Sequence, residues 1–194
     1  MSGDDDAAEV TDELDVSIAG VAGASIAALH VAITVAPRGG DVEELTTLIA
    51  AVHHQEPIGW EARATFDEWI VALAADDDGT PYAVTADGAL RVGVGPDGRR
   101  YALPTRRGLA DLWLASADEL LVCGPGVLGH VRLGRGRIAL ELFDDDGPGD
   151  AGAIAGPEPG VVAGAIAVGT HGALWSYDGA DWAAHETSAH GTFD

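Results

Sequence analysis

The chain has 194 residues, 47% of them apolar, with 32 acidic residues against 10 basic ones and a formal net charge of −22. All the basic residues are Arg, and so acidic a surface repels phosphate backbones, which excludes nucleic-acid binding through a basic footprint. The single cysteine, Cys123, excludes an internal disulfide or a Cys-based metal site, and its apolar run Leu120–Cys123 suits a small buried thiol.

From the N-terminus, residues 1–15 are acidic and are expected to be flexible. They do not offer the positive region that opens a signal peptide, so a cytoplasmic location is expected. Val16 to Ala36 carries no charge, long enough for a membrane-anchored sensor to be one alternative. Its Ala, Gly, Ser, Thr and His content makes a weak span. Read as soluble, Ile18, Val21, Ala22, Ser25, Ile26 and Leu29 recur at helical spacing, although Gly20 and Gly23 oppose a helix. Val31, Ile33 and Val35 alternate like a strand up to Pro37. A helix is predicted near 41–55, with Asp41 and Glu44 as a capping box and Leu45, Leu48, Ile49 and Val52 as its apolar stripe. Residues 16–60 thus read as a small α+β segment.

Beyond Trp60 the chain turns to short strands separated by Gly/Asp turns. Four strands are predicted at Trp69–Ala75, Pro81–Thr85, Ala89–Val94 and Arg100–Leu103. The pattern returns at Asp111–Ala115, Glu119–Cys123, Leu128–Leu133 and Arg137–Phe143, and again at Ala151–Ala155, Val162–Val168, Ala173–Tyr177 and Asp181–His185. Asp67-Glu-Trp69 matches Asp111-Leu-Trp113. The period of about 42 residues suits four-stranded propeller blades, giving three repeats at about 66–108, 109–150 and 151–192.

The last repeat, Val168-Gly-Thr-His-Gly-Ala-Leu-Trp-Ser-Tyr-Asp-Gly-Ala-Asp-Trp182, resembles the "VG-x-x-G … DG-x-x-W" unit of bacterial β-propellers. Photosystem II assembly factor-like and BNR (Asp-box-related) proteins belong to that type. The resemblance covers roughly residues 66–194 and implies a mainly β fold of about three propeller-blade-like antiparallel repeats. Ser176-Tyr-Asp178-Gly179 is one residue shorter than a true Asp box and lacks its Thr, so sialidase-type activity is not implied. Three blades cannot close a ring, which takes at least about four, and an open edge invites pairing with another chain.

The possible chemical clusters are few. His53, His54 and Glu56 are the densest ligand group, but adjacent histidines on a helix diverge by about 100°, and a helix C-terminus accounts for them. His171, His185 and His190 fall in or near turns. Asp76–Asp78 and Asp144–Asp146 are consecutive where a calcium loop alternates its ligands, so both read as solvated turns. The Gly124–Gly129 run leads into strand-like residues and away from any anion-binding helix. Neither a cofactor nor a metal is expected. Trp175, Tyr177 and Trp182 either pack between blades or, if exposed, serve as candidate binding residues. The leading expectation is a non-enzymatic interaction or assembly module whose partner is another protein chain or a second copy. An enzyme with its site on propeller loops is the alternative. The acidity also predicts adaptation to high salt.

Overall fold

A computed structural model of the chain describes residues 14–25, 28–38, 46–53, 59–105, 107–134, 137–142 and 150–185. Among these are sixteen strands in four antiparallel four-stranded sheets, each a simple meander. The first sheet holds β1 (Leu14–Ser25), β2 (Ala28–Pro37), β3 (Thr46–His53) and β4 (Gly59–Phe66). The second holds β5 (Ile70–Ala75), β6 (Pro81–Thr85), β7 (Ala89–Val92) and β8 (Arg99–Ala102). The third holds β9 (Asp111–Ser116), β10 (Glu119–Gly124), β11 (Val127–Gly134) and β12 (Arg137–Leu142). The fourth holds β13 (Ala151–Ala155), β14 (Ile166–Gly169), β15 (Leu174–Tyr177) and β16 (Trp182–His185). The mainly β expectation holds, and the strands of the last three sheets lie within a few residues of their predicted positions.

The first sheet corrects the α+β expectation for residues 16–60. Residues 46–53, inside the predicted helix near 41–55, are the strand β3; residues 39–45 and 54–58 lie outside the described residues. Of the helical spacing read from Ile18 to Leu29, Ile18 to Ser25 belong to the strand β1 and Leu29 to β2, and Ile26 lies outside the described residues. The physical reason is visible in β3, where Thr46, Thr47, Ile49 and Val52 are β-branched and stiff at χ1, which favours a pleated strand. β3 is an interior strand between β2 and β4, and Thr47, Ile49, Ala50 and Ala51, which alternate between its two faces, are all buried. An interior strand with apolar residues on both faces has no polar–apolar alternation, and its apolar stretch mimics a helical stripe. In β1, Gly20 admits a close approach: a Cβ there would lie 3.0 Å from the Cβ of Leu73 in β5. The helix-end account of His53 falls with the helix.

The sheets are stacked through their leading strands, β1 on β5, β5 on β9 and β9 on β13. Ala32 and Ile49 of the first sheet pack on Ile70 and Ala83 of the second. Tyr82, Val84 and Leu90 of the second meet Leu112, Leu120 and Val131 of the third. Leu121, Cys123 and Leu128 on the opposite face of the third meet Ile154, Ala167 and Trp175 of the fourth. Among the described residues, β13 and β1 do not pack together as the three neighbouring pairs do. The four sheets therefore form an open arc with two end faces.

Candidate functional site

The end faces follow from strand register. Pairing of Leu14 with Pro37, Val16 with Val35, Ile18 with Ile33 and Val21 with Val31 puts these side chains on one face of the first sheet. Leu48 and Val52 of β3 share it, and Trp60 joins it opposite Val52. It is the face turned away from the second sheet. Val31 and Ala50 at its middle are buried, whereas Leu14, Val16, Ile18 and Val21 are 56%, 64%, 66% and 57% exposed and Trp60 is 59% exposed. The exposed apolar groups thus form a strip along β1 with an indole at the far edge. At the other end, pairing of Ala153 with Val168 and Ala155 with Ile166 defines the face of the fourth sheet that is turned away from the third. Val168 pairs with Leu174 on that face, and Ile166 is 47% exposed there.

The sequence-derived binding candidates lie elsewhere. Trp175 and Tyr177 are buried between the third and fourth sheets, and Trp182 is half-buried beside them. The Tyr177 ring lies 5.1 Å from Trp182, and it stands edge-on to His130 with centroids 5.6 Å apart and planes at 78°. Its hydroxyl is 2.9 Å from His130 Nδ1, and His130 Nε2 is 2.7 Å from Glu119 Oε1. Arg132 also approaches Nδ1 at 3.2 Å, and a guanidinium only donates. Nδ1 is therefore the acceptor, Tyr177 donates to it, and the Nε2 proton is donated to Glu119. Burial, with the charges of Glu119, Glu141 and Asp178 adding to it and Arg132 opposing, raises the Tyr177 pKa. A His–Glu pair is a familiar general-base arrangement, but His130 is 1% exposed and both its ring nitrogens are engaged. What the geometry supplies is a polar clamp across the seam between two sheets.

A second bond crosses the same seam. Asp111 accepts from the backbone N–H of Leu112 at 2.8 Å and of Ile154 at 2.9 Å, tying β9 to β13. Burial pushes its carboxyl pKa up, against the two N–H donors. Burial and the nearby Asp111 charge likewise push up the pKa of the Cys123 thiol, which is fully buried. Sequence reasoning found Asp111 and Trp113 as a repeated pair, but missed His130 and Glu119, which share no motif with their partners.

One hollow of about 400 Å³ lies where the β5–β6 and β9–β10 turns meet the loop after β13. Asp76, Asp77 and Asp78 form its acidic side, and Leu114, Pro159 and Gly160 help form the rest. Asp76 is engaged in the turn: it accepts from the Thr80 N–H at 2.8 Å and from the Tyr82 hydroxyl at 3.3 Å. Burial, with the Asp76 charge and hydrogen bond next, raises the Tyr82 pKa. This is the solvated-turn role expected from sequence; Asp144–Asp146 lie outside the described residues. No group of three or more metal-ligating side chains occurs among the described residues. His171 is exposed at a tight turn with φ of 59°, and His185 is 2.7 Å from the Ser176 hydroxyl. No described helix is long and apolar enough to cross a membrane, and β1 and β2 occupy much of the 16–36 stretch.

No protein-family model matches the chain, and no curated protein matches it by sequence. Solved structures do match it in shape. The C-terminal WD40 domain of Sif2 is 14% identical with a TM-score of 0.54, and the match covers 83% of this chain and 55% of that one. A catalytically inactive virginiamycin B lyase from Staphylococcus aureus, solved with quinupristin, is 11% identical with a TM-score of 0.55, covering 91% of this chain and 75% of that one. The chain thus spans about half the length of the Sif2 domain. At these identities the likeness is one of fold, and the fold is that of a β-propeller.

Proposed function

We propose that this chain is a non-enzymatic interaction module, an arc of propeller blades whose end faces are bound by another polypeptide. One observation carries the reading: the exposed apolar strip of Leu14, Val16, Ile18 and Val21, with Trp60, on a chain whose net charge is −22. Large uncovered apolar patches mark interaction sites in soluble proteins, and a surface otherwise so charged has no solubility reason to keep one. Within the arc, faces of the same composition are covered by the next sheet, so the strip has the character of an interface rather than of a solvent face. The WD40 likeness supports an interaction role only as a general tendency of the fold. The photosystem II assembly factor-like or BNR type, suggested by the fourth sheet's sequence, is part of this proposal.

The test places a photo-reactive amino acid at Val16 in the protein expressed in its own cells, with Ala102, exposed on β8, as the control site. Covalent adducts with a polypeptide are expected from Val16 and not from Ala102. Absence of adducts from Val16 overturns the proposal.

A further inference from the structure

We infer that the partner is a second copy of this chain, and that two copies close a single ring of eight sheets. The outer face of the first sheet in each copy packs on the free face of the fourth sheet in the other. This inference rests on the reading above, that the end faces are interfaces, and names what covers them.

Three observations lead to it. The first is polarity. Each junction in the arc joins the forward face of one sheet to the backward face of the next: Ala32 and Ile49 to Ile70 and Ala83, then Tyr82 and Leu90 to Leu112 and Leu120, then Leu121 and Leu128 to Ile154 and Ala167. The only described faces left over are a backward one on the first sheet and a forward one on the fourth. They are unlike and mutually fitting, so one copy supplies what the other lacks. Such head-to-tail contacts close when the rotation permits, and two copies use up every free face.

The second observation is charge. The strand register places no Asp, Glu or Arg on the first sheet's face among Leu14, Val16, Ile18 and their β2 partners. It places none on the fourth sheet's face among Ala153, Ala155, Ile166, Val168 and Leu174. In a chain with 32 acidic residues, two uncharged faces at opposite ends of one arc mark matched surfaces that lose water together. The third is size. Propellers close with about four to eight blades, and this chain of four sheets spans 55% of the Sif2 domain and 75% of the lyase, short of either. Two copies reach the upper end of that range, whereas four sheets in which, among the described residues, β1 and β13 do not pack as the neighbouring pairs do have not closed at its lower end.

Light scattering on the full chain at moderate to high salt tests the stoichiometry, and paired variants test the geometry. The wild type is expected to be a dimer. Ile18→Asp on the first sheet and Ile166→Asp on the fourth should each run as monomers, with circular dichroism confirming that both remain folded. Mixing the two should restore a dimer, because the fourth sheet of the first variant and the first sheet of the second remain intact and form one sound junction. A monomeric wild type overturns the inference, as does a dimer that ignores Ile166→Asp, which would mean like faces pairing. Should either variant unfold, the adduct at Val16 decides: its cross-linked peptide should come from residues 150–185 of the same protein. An adduct with a different protein overturns the second copy and leaves the interaction reading standing, whereas no adduct removes both.

Discussion

At Gly156, just past β13, a Cβ would overlap the Trp113 indole of the neighbouring sheet, so glycine here is a packing requirement between sheets. Gly152, on β13 itself, has open space at the corresponding point. Gly156→Ala is therefore expected to cost about 1–3 kcal/mol, the usual penalty of overpacking. Gly152→Ala should be neutral or slightly stabilising, since alanine restricts the unfolded chain. Urea denaturation midpoints of the two variants measure the contrast. Trp113 was legible as half of a repeated Asp-x-Trp, but its partner glycine was not, because nothing in a run such as Ala-Ile-Ala-Gly announces which residue an indole covers. The same limit hid His130: Glu119 lies 11 residues back on the neighbouring strand β10, and Tyr177, 47 residues on, meets it only once the third and fourth sheets have stacked.

Between elements, Glu68 clamps the first sheet to the second. It sits in the link from β4 to β5 and accepts from Arg91 of β7 and Arg100 of β8, both at 2.6 Å, while Arg91 also lies over the Phe66 ring at 4.0 Å. Burial alone would raise the Glu68 pKa, but the hydrogen bonds and charges of the two arginines outweigh it and hold the carboxyl below its ordinary value. A carboxylate with a lower pKa folded than unfolded adds stability above its unfolded pKa and loses it as pH falls through the folded one. Glu68→Gln should thus lower the melting temperature at neutral pH. The gap to wild type should narrow once pH drops below about 4.3, the ordinary glutamate value, and a melting series against pH reads it. The elements themselves differed in legibility for one reason. Strands of the last three sheets are short and separated by Gly/Asp turns, such as Asp76–Gly79, which announce each reversal. In the first sheet, β1 and β2 run to 12 and 10 residues, and the buried run of β3 has no alternation to betray a strand.

For the whole molecule, a charge of −22 opposes any compact state and opposes association of two copies more strongly. Salt screens that repulsion, shortening its reach from roughly 10 Å at 0.1 M to about 3 Å at 1 M, while apolar burial persists. The melting temperature and the dimer fraction are both expected to rise with NaCl toward molar concentrations. Calorimetry and sedimentation at matched salt check this, and a flat or falling response rules out adaptation to salt. The fourth sheet removes the blade-count argument for an incomplete ring, since three blades fall short of the minimum and four do not; the deficit rests instead on β1 and β13 not packing together among the described residues as the neighbouring pairs do. The count was misread because the first sheet's strands look helical, the same reason that residues 16–60 read as α+β.

Among the described residues every strand pairs with its neighbours in the chain, and each sheet packs chiefly on the sheets before and after it. Such a stack behaves as a one-dimensional series of modules, each added at a nearly local cost. Duplication or deletion of one stretch of about 40 residues then lengthens or shortens the arc without disturbing its other seams. The number of blades becomes a heritable variable in its own right, and a gene encoding half a wheel can reach a whole one by fusing two copies end to end.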